Sequence, residues 1–286
     1  MNVEIQVINA FSVNGTGGNP AGVVFDADAI PAAMRQRIAT AAGFPETAFV
    51  SASAAADFRL EFFTPVKQIP HCGHATIATF SYLKNSGRIT GAKSSKETID
   101  GCRDILFRDG LAFMEQKAPR IELPADLGPI FRSLGISAAD LIPGKVPAIV
   151  NTGNAYLIVP IRDAATLAAI RYDRGLVSRI SEQYGLIGFY PYAPAEGFDA
   201  TARMFAPFYG IDEEAGTGMA AGPLAAYLWE TGRRSPERLR IEQGRFMEPA
   251  SPSLILVDLE VSEGRITRLF SGGAAHLNRK LSIGVS

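Results

Sequence analysis

"GHATIATFSYL", Gly73 to Leu83, is a run of helical length with almost no polar face. A helix that lies against solvent keeps one polar side; a helix apolar nearly all round is enclosed by protein. Much of the remaining chain reads as short strands, so the economical enclosure is a curved sheet wrapped around the helix. A second stretch, "GMAAGPLAAYL", Gly218 to Leu228, aligns with the first without a gap: Gly73 meets Gly218, Ala75 meets Ala220, Tyr82 meets Tyr227 and Leu83 meets Leu228. Upstream of each lies a strand ending in a Phe-x-Pro step, Phe63-Thr64-Pro65 and Phe205-Ala206-Pro207. Small-residue helices align easily by chance, but the shared strand, proline and loop favour an internal repeat.

The segments around these helices extend the pattern. Val3, Ile5 and Val7 alternate as a strand does, and "AGVVF" follows. "PAAMRQRIATAAGF" reads as a helix, with Pro31 in its first turn and Gly43 at its C-cap. "ETAFVS", "FRLEFF", "DILFR" and "LAFMEQK" read as strands, the last two joined at Asp109-Gly110. "PRIELPADLGP" marks a domain boundary, giving a first lobe of residues 1–120 completed by a C-terminal strand at 272–286, and a second lobe of 121–271. Beyond it, "PAIV", "AYLIVPI", "GLIGFYPY", "DATARMF", "LRIEQG", "SLILVDLEV" and "RITRLF" read as strands, with two helices near Ala164–Ile170 and Leu176–Tyr184. The expected fold is α+β, with two similar halves. Each is a strongly bent, mostly antiparallel sheet around one central helix. Both helices begin at glycine, and helix N-termini present N–H groups and partial positive charge. If the halves face each other, both ends point into one crevice suited to a substrate carboxylate.

Composition narrows the function. The chain has 286 residues, is 47% hydrophobic and 20% charged, and carries a net charge of −1. No basic face for nucleic acid or an acidic membrane is advertised. Two cysteines, Cys72 and Cys102, are too few for a disulfide framework, and a cytoplasmic location is the expectation. The N-terminus lacks the pattern of a signal peptide, and no apolar run reaches the length of a membrane span.

Chemistry-bearing residues concentrate at "HCGH", His71 to His74. A metal needs three or four ligands, and adjacent side chains point apart, so no metal is expected there. A thiol just before a helix N-terminus has a depressed pKa, which makes Cys72 a candidate base or nucleophile; a small half-buried residue is the alternative. His74, in the first turn, is placed for acid/base work or hydrogen bonding to substrate. Glu46, in "FPETAFV", reads from the residues alone as a solvated charge. Glu213 and Glu214 precede the second helix, where acidic residues are favoured anyway; an acid orienting a catalytic partner is the functional reading. "NGTGGNPAG", Asn14 to Gly22, matches no phosphate-binding pattern.

"GNPAGVVFDADAI", "ETAFV", "FFTPVKQIPHCGHATIATFSYL" and "RMFAPFYGIDEEAGTGMAAGPLAAYL", in this order, resemble the phenazine-biosynthesis PhzF-like family of the diaminopimelate epimerase-like superfamily. The closing "SGGAAHLNRKLSIG" also resembles the family's last strand, which returns to the first half. The resemblance implies two pseudo-twofold domains, each a sheet around a helix, and a cofactor-free isomerase that moves a proton between carbons of a small unsaturated or cyclic carboxylic acid. It implies Glu46 as the catalytic acid/base, His74 as the active-site histidine, and Glu214 as the acidic residue before the second helix. Asn19, Gly73, Thr217, Gly218 and Met219 become substrate contacts, and a homodimer is implied. A base of this kind needs a pKa near working pH, so Glu46 should be buried among Phe44, Pro45 and Phe49.

Two departures stand out. Where the family usually shows a motif close to E-D-P-A-T-G-S, this chain has Glu213-Glu214-Ala215-Gly216-Thr217-Gly218-Met219. Racemase relatives place a cysteine before each helix; Cys72 fills the first place, and Ala215 or Gly216 stands at the second. The alternatives to the isomerase are a one-thiol epimerase or dehydratase using Cys72, and a carboxylate-binding protein without activity.

Overall fold

The computed structural model describes residues 2–232 and 238–285. The chain divides into two compact units, Met1–Glu115 with Gly272–Ser286, and Gln116–Ser271. Along the first run β1 (Asn2–Ala10), β2 (Asn19–Val24), α1 (Ala32–Ala42), β3 (Thr47–Ser51), β4 (Phe58–Phe63), β5 (Gln68–Ile69), α2 (Gly73–Asn85), β6 (Lys93–Thr98), β7 (Gly101–Arg108) and β8 (Leu111–Lys117). Then come β9 (Arg120–Glu122), α3 (Gly128–Leu134), β10 (Ala148–Asn151), β11 (Ala155–Pro160), α4 (Ala164–Ala169), α5 (Arg174–Tyr184), β12 (Leu186–Ala195), β13 (Phe198–Ala202), α6 (Gly218–Glu230), β14 (Leu239–Gln243), β15 (Ser253–Ser262), β16 (Arg265–Gly273) and β17 (Ala275–Gly284).

The strand pairings repeat. In the first unit β17–β1 and β1–β2 are antiparallel, β2–β3 parallel, β3–β4 antiparallel, β4–β6 parallel and β6–β7 antiparallel. In the second, β9–β10 and β10–β11 are antiparallel, β11–β12 parallel, β12–β13 antiparallel, β13–β14 parallel and β14–β15 antiparallel. Parallel neighbours require a crossover, and each is a helical segment. α1 serves β2–β3 and α2 serves β4–β6; α4 with α5 serves β11–β12, and α6 serves β13–β14.

The two central helices are enclosed as their composition requires. α2 touches β1, β2, β3 and β17, and it buries every residue from His74 to Ser81. α6 touches β10, β11 and β15, and it buries Ala220 through Trp229. The outer face of each sheet is covered as well. α1 sets Ile38 and Ala39 among Val3, Ile5, Val24, Phe49 and Phe63. α3, α4 and α5 bring Ile130, Leu134, Leu167, Val177 and Ile180 onto Leu157, Val159 and Phe189. Strands covered on both faces lose the apolar–polar alternation, which is why β3 and β11 are buried at every residue.

Several expectations change in detail. Pro31 is the N-cap of α1 rather than a first-turn residue, while Gly43 caps its C-terminus in the left-handed region. β6, β9 and α3 lack a strong sequence signal; β6, "KSSKET", turns Ser94, Lys96 and Thr98 inward, so its buried face is polar. The turn at Asp109-Gly110 has φ values of 52° and 76°, the mirror-image turn that matches strand twist. No helix among the described residues is long and apolar enough to cross a membrane.

A close contact fixes α6. A Cβ on Gly222 would fall 2.3 Å from Gln116 Oε1. Gln116 cannot yield cheaply: it donates to the Gly218 carbonyl (2.9 Å) and Ser271 Oγ (2.7 Å) and accepts from Thr152 Oγ1 (2.6 Å). Alanine normally gains about 1 kcal/mol over glycine inside a helix. Here the displaced glutamine outweighs that gain, and Gly222→Ala is expected to lower stability by about 1–2 kcal/mol, read as a lower urea midpoint at unchanged slope.

Candidate active site

The first unit brings Glu46 and His74 together. Glu46 stands immediately before β3, and its backbone carbonyl accepts a hydrogen bond from Gly22 N–H at 3.1 Å. A Cβ on Gly22 would lie 2.9 Å from the Phe44 ring and 3.1 Å from Thr47 Oγ1, so β2 and the approach to β3 pack directly only at glycine. This places Glu46 in the interior, with 6% of its surface exposed, rather than in solvent. His74, in the first turn of α2, is 4% exposed. Its Nε2 lies 3.3 Å from Glu46 Oε2. Cys72 Sγ lies 3.6 Å from His74 Nδ1.

Cys72 is the N-cap of α2 and supplies no side-chain cap, so Gly73 opens a helix whose first turn no protein side chain caps from that position. The thiol is not activated. Burial pushes its pKa up, and nearby His74, which lowers it, does not compensate. The expected effect of the helix N-terminus is therefore overridden by loss of solvent. Asn19 opens β2 and is 4% exposed.

His71 belongs to a different group. Lys96 Nζ lies 3.3 Å from its Nδ1, so His71 turns away from Cys72 and His74. The donors that do converge are one atom each from Glu46, Cys72 and His74, all within 4.8 Å of one another. That spacing could accommodate a small divalent ion, with a fourth ligand left to solvent or substrate.

The second unit forms a polar network around Thr217, the N-cap of α6, which likewise makes no side-chain cap. The Thr217 hydroxyl donates to Glu214 Oε2 and accepts from Gln243 Nε2 at 3.0 Å. Gln243 also donates to the Glu214 carbonyl (2.7 Å) and accepts from Thr217 N–H (3.0 Å) and the Tyr190 hydroxyl (2.8 Å). Gln243 and Tyr190 are fully buried, and burial together with the Glu214 charge raises the Tyr190 pKa well above its ordinary value. Of this network the sequence reading names Glu214 and Thr217 and not Gln243 and Tyr190, which lie on β14 and β12 and become neighbours only through the sheet. The tandem acids divide: Glu213 makes a two-point ion pair with Arg203 (2.9 and 2.7 Å), whose Nη1 also donates to the Ile170 carbonyl after α4. Met219, second residue of α6, is half-buried, and Ala215 stands buried before the helix.

Residues 8–279 match the phenazine biosynthesis-like protein family. The chain belongs to that family. It is 32% identical over 236 residues, 80% of each chain, to an uncharacterized isomerase, YddE, of Escherichia coli O157:H7. It is 30% identical over 274 residues to trans-2,3-dihydro-3-hydroxyanthranilate isomerase of Pseudomonas chlororaphis, covering 93% of this chain and 94% of that one. The Bacillus anthracis phenazine biosynthesis protein of the PhzF family superposes over 100% of both chains, with a TM-score of 0.88 at 26% identity. The protein is thus a PhzF-family isomerase with the diaminopimelate epimerase-like fold.

The two cysteines should differ in reactivity. Cys72 is buried with a raised pKa, and Cys102 is exposed. Iodoacetamide at neutral pH is expected to modify Cys102 in the native protein and Cys72 only after denaturation, read by peptide mass spectrometry.

Proposed function

We propose that this isomerase moves a proton between carbons of a small unsaturated or cyclic carboxylic acid, with Glu46 as the group that takes the proton and returns it. The observation that carries this reading is the approach of two buried side chains, Glu46 Oε2 and His74 Nε2, to 3.3 Å at the first turn of α2. In the forward direction the Glu46 carboxylate removes a proton from carbon, and the electron pair delocalises into the conjugated acid. The neutral Glu46 carboxyl then delivers that proton to the second carbon, and the carboxylate is restored. Charge developing on the acid needs donors already in place, and the amide groups of a glycine-headed helix supply them without reorganisation. His74, with Nε2 3.3 Å from Glu46 Oε2, is placed to balance the change of charge on that carboxylate.

Asn19 and Gly73 are the proposed substrate contacts of the first unit. The second unit's are Thr217, Gly218 and Met219, and Glu214, held by Thr217 and the Gln243 network, is its proposed acid/base group. The relative named for trans-2,3-dihydro-3-hydroxyanthranilate suggests that compound as the first to test. The Glu214 and Met219 replacements favour a related ring acid of different bulk. A one-thiol mechanism is less well supported, because Cys72 is held as a neutral thiol. A binding role alone leaves the burial of Glu46 without a purpose.

Glu46→Gln keeps the volume and removes the base. With trans-2,3-dihydro-3-hydroxyanthranilate and a panel of cyclic unsaturated acids in D2O, wild type is expected to place solvent deuterium at carbon. The variant should retain its thermal transition and lose turnover by about 10²–10⁴-fold. Near-normal exchange by the variant removes Glu46 from the mechanism.

A further inference from the structure

Lys96 is fully buried on β6. Its Nζ donates to Thr76 Oγ1 (2.6 Å), meets His71 Nδ1 (3.3 Å) and Met114 Sδ (3.7 Å), and lies 5.3 Å from the centre of the Phe62 ring. No carboxylate among the described residues lies within ion-pair distance of it. A buried ammonium without an anionic partner is costly, and it persists where a function uses it. The fold does not require it. Counted from the opening glycine of each central helix, Lys96 corresponds to Ile241 of β14, equally buried and in the same place in the strand pattern.

Its contacts lead to the mouth of α2. Thr76, which accepts from Lys96, donates its own proton to the Cys72 carbonyl at 2.6 Å. Cys72 is the N-cap residue, so one hydroxyl separates the ammonium from the end of the helix at Gly73. We propose that Lys96 is a positioning residue of the substrate-carboxylate site, a positive charge set behind the amide groups at Gly73 that strengthens anion binding. This rests on the proposed function above.

The surroundings of Lys96 agree. Its pKa is lowered to about 7, chiefly by burial; Arg103 on β7 acts in the same sense, and Cys72 and Asp100 act in the opposite direction. His71, the titratable neighbour before α2, is itself held well below its ordinary value by burial and by Lys96 and Arg103, so it stays neutral and does not compete for the proton. Unfolded, Lys96 regains its ordinary pKa of 10.5. Between about 7 and that value the unfolded chain binds the extra proton, so this residue makes stability rise with pH across that window. A bound anion pulls the folded-state pKa back up, and binding in the same window takes up a proton.

The test compares wild type with Lys96→Met and Lys96→Gln, using anthranilate as the carboxylate probe, by calorimetry in buffers of different ionisation enthalpy. Wild type is expected to bind at least fivefold more tightly at pH 6.5 than at pH 8.5, with net proton uptake at pH 8. Lys96→Met should bind at least tenfold more weakly at pH 6.5, lose both the pH dependence and the uptake, and melt at the same temperature or higher. Lys96→Gln should show the same losses if the methionine variant does not fold. Unchanged affinity and proton uptake in a folded variant overturn the assignment of Lys96 alone. Weaker binding together with a lower melting temperature and unaltered pH dependence makes Lys96 structural, and also overturns it. Absence of binding by wild type both to anthranilate and to trans-2,3-dihydro-3-hydroxyanthranilate overturns the carboxylate site and Lys96 with it.

Discussion

A helix stripped of its polar face has to be surrounded, and that one requirement organises this molecule. α2 and α6 bury nearly all their length, so their sheets bend around them, and the crossovers needed by parallel strand pairs supply the outer helices. Enclosure also sets the chemistry. The interior of a wrapped helix is short of water, yet its N-terminus brings amide groups that need partners. Polar side chains collected there interact more strongly with each other and with a bound anion than they would at a surface.

The two units answer this requirement with different polar groups on one topology. In the second, Gln243 satisfies several neighbours at once, and Glu214 and Thr217 are tied to each other. In the first, Glu46, Cys72 and His74 converge, and an ammonium lies behind them where its counterpart is isoleucine. A repeat that needed these groups only for folding would have kept them in both copies. The asymmetry points to function, because a buried charge costs stability and is kept where it has a role.

Much of the fold was legible. The gapless match of Gly73–Leu83 with Gly218–Leu228 revealed the repeat, since helix burial demands composition that survives as a pattern. Most strands announced themselves by β-branched and aromatic runs. The omissions have a common cause. β6 turns Ser94, Lys96 and Thr98 inward, so its buried face carries no apolar alternation to detect. α3 is too short for a periodic stripe, and β9 is exposed at all three residues. At the site, the family resemblance singled out Glu46, whose own residues suggest a solvated charge. Gln243, Tyr190 and Lys96 escaped, because each meets its polar partners far away in the chain.

Local composition, then, settled which segments would be enclosed, where helices would start at glycine, and that two related halves would be built. These are properties of short stretches, set by propensity and apolar spacing. Which polar atoms would meet was left to packing. Glu46 reaches His74 because Gly22 lets β2 and the start of β3 close together, and Lys96 reaches Thr76 because a parallel crossover returns β6 beside β4. Such meetings depend on distances of a few ångströms between residues remote in sequence, and only the closed sheet establishes them.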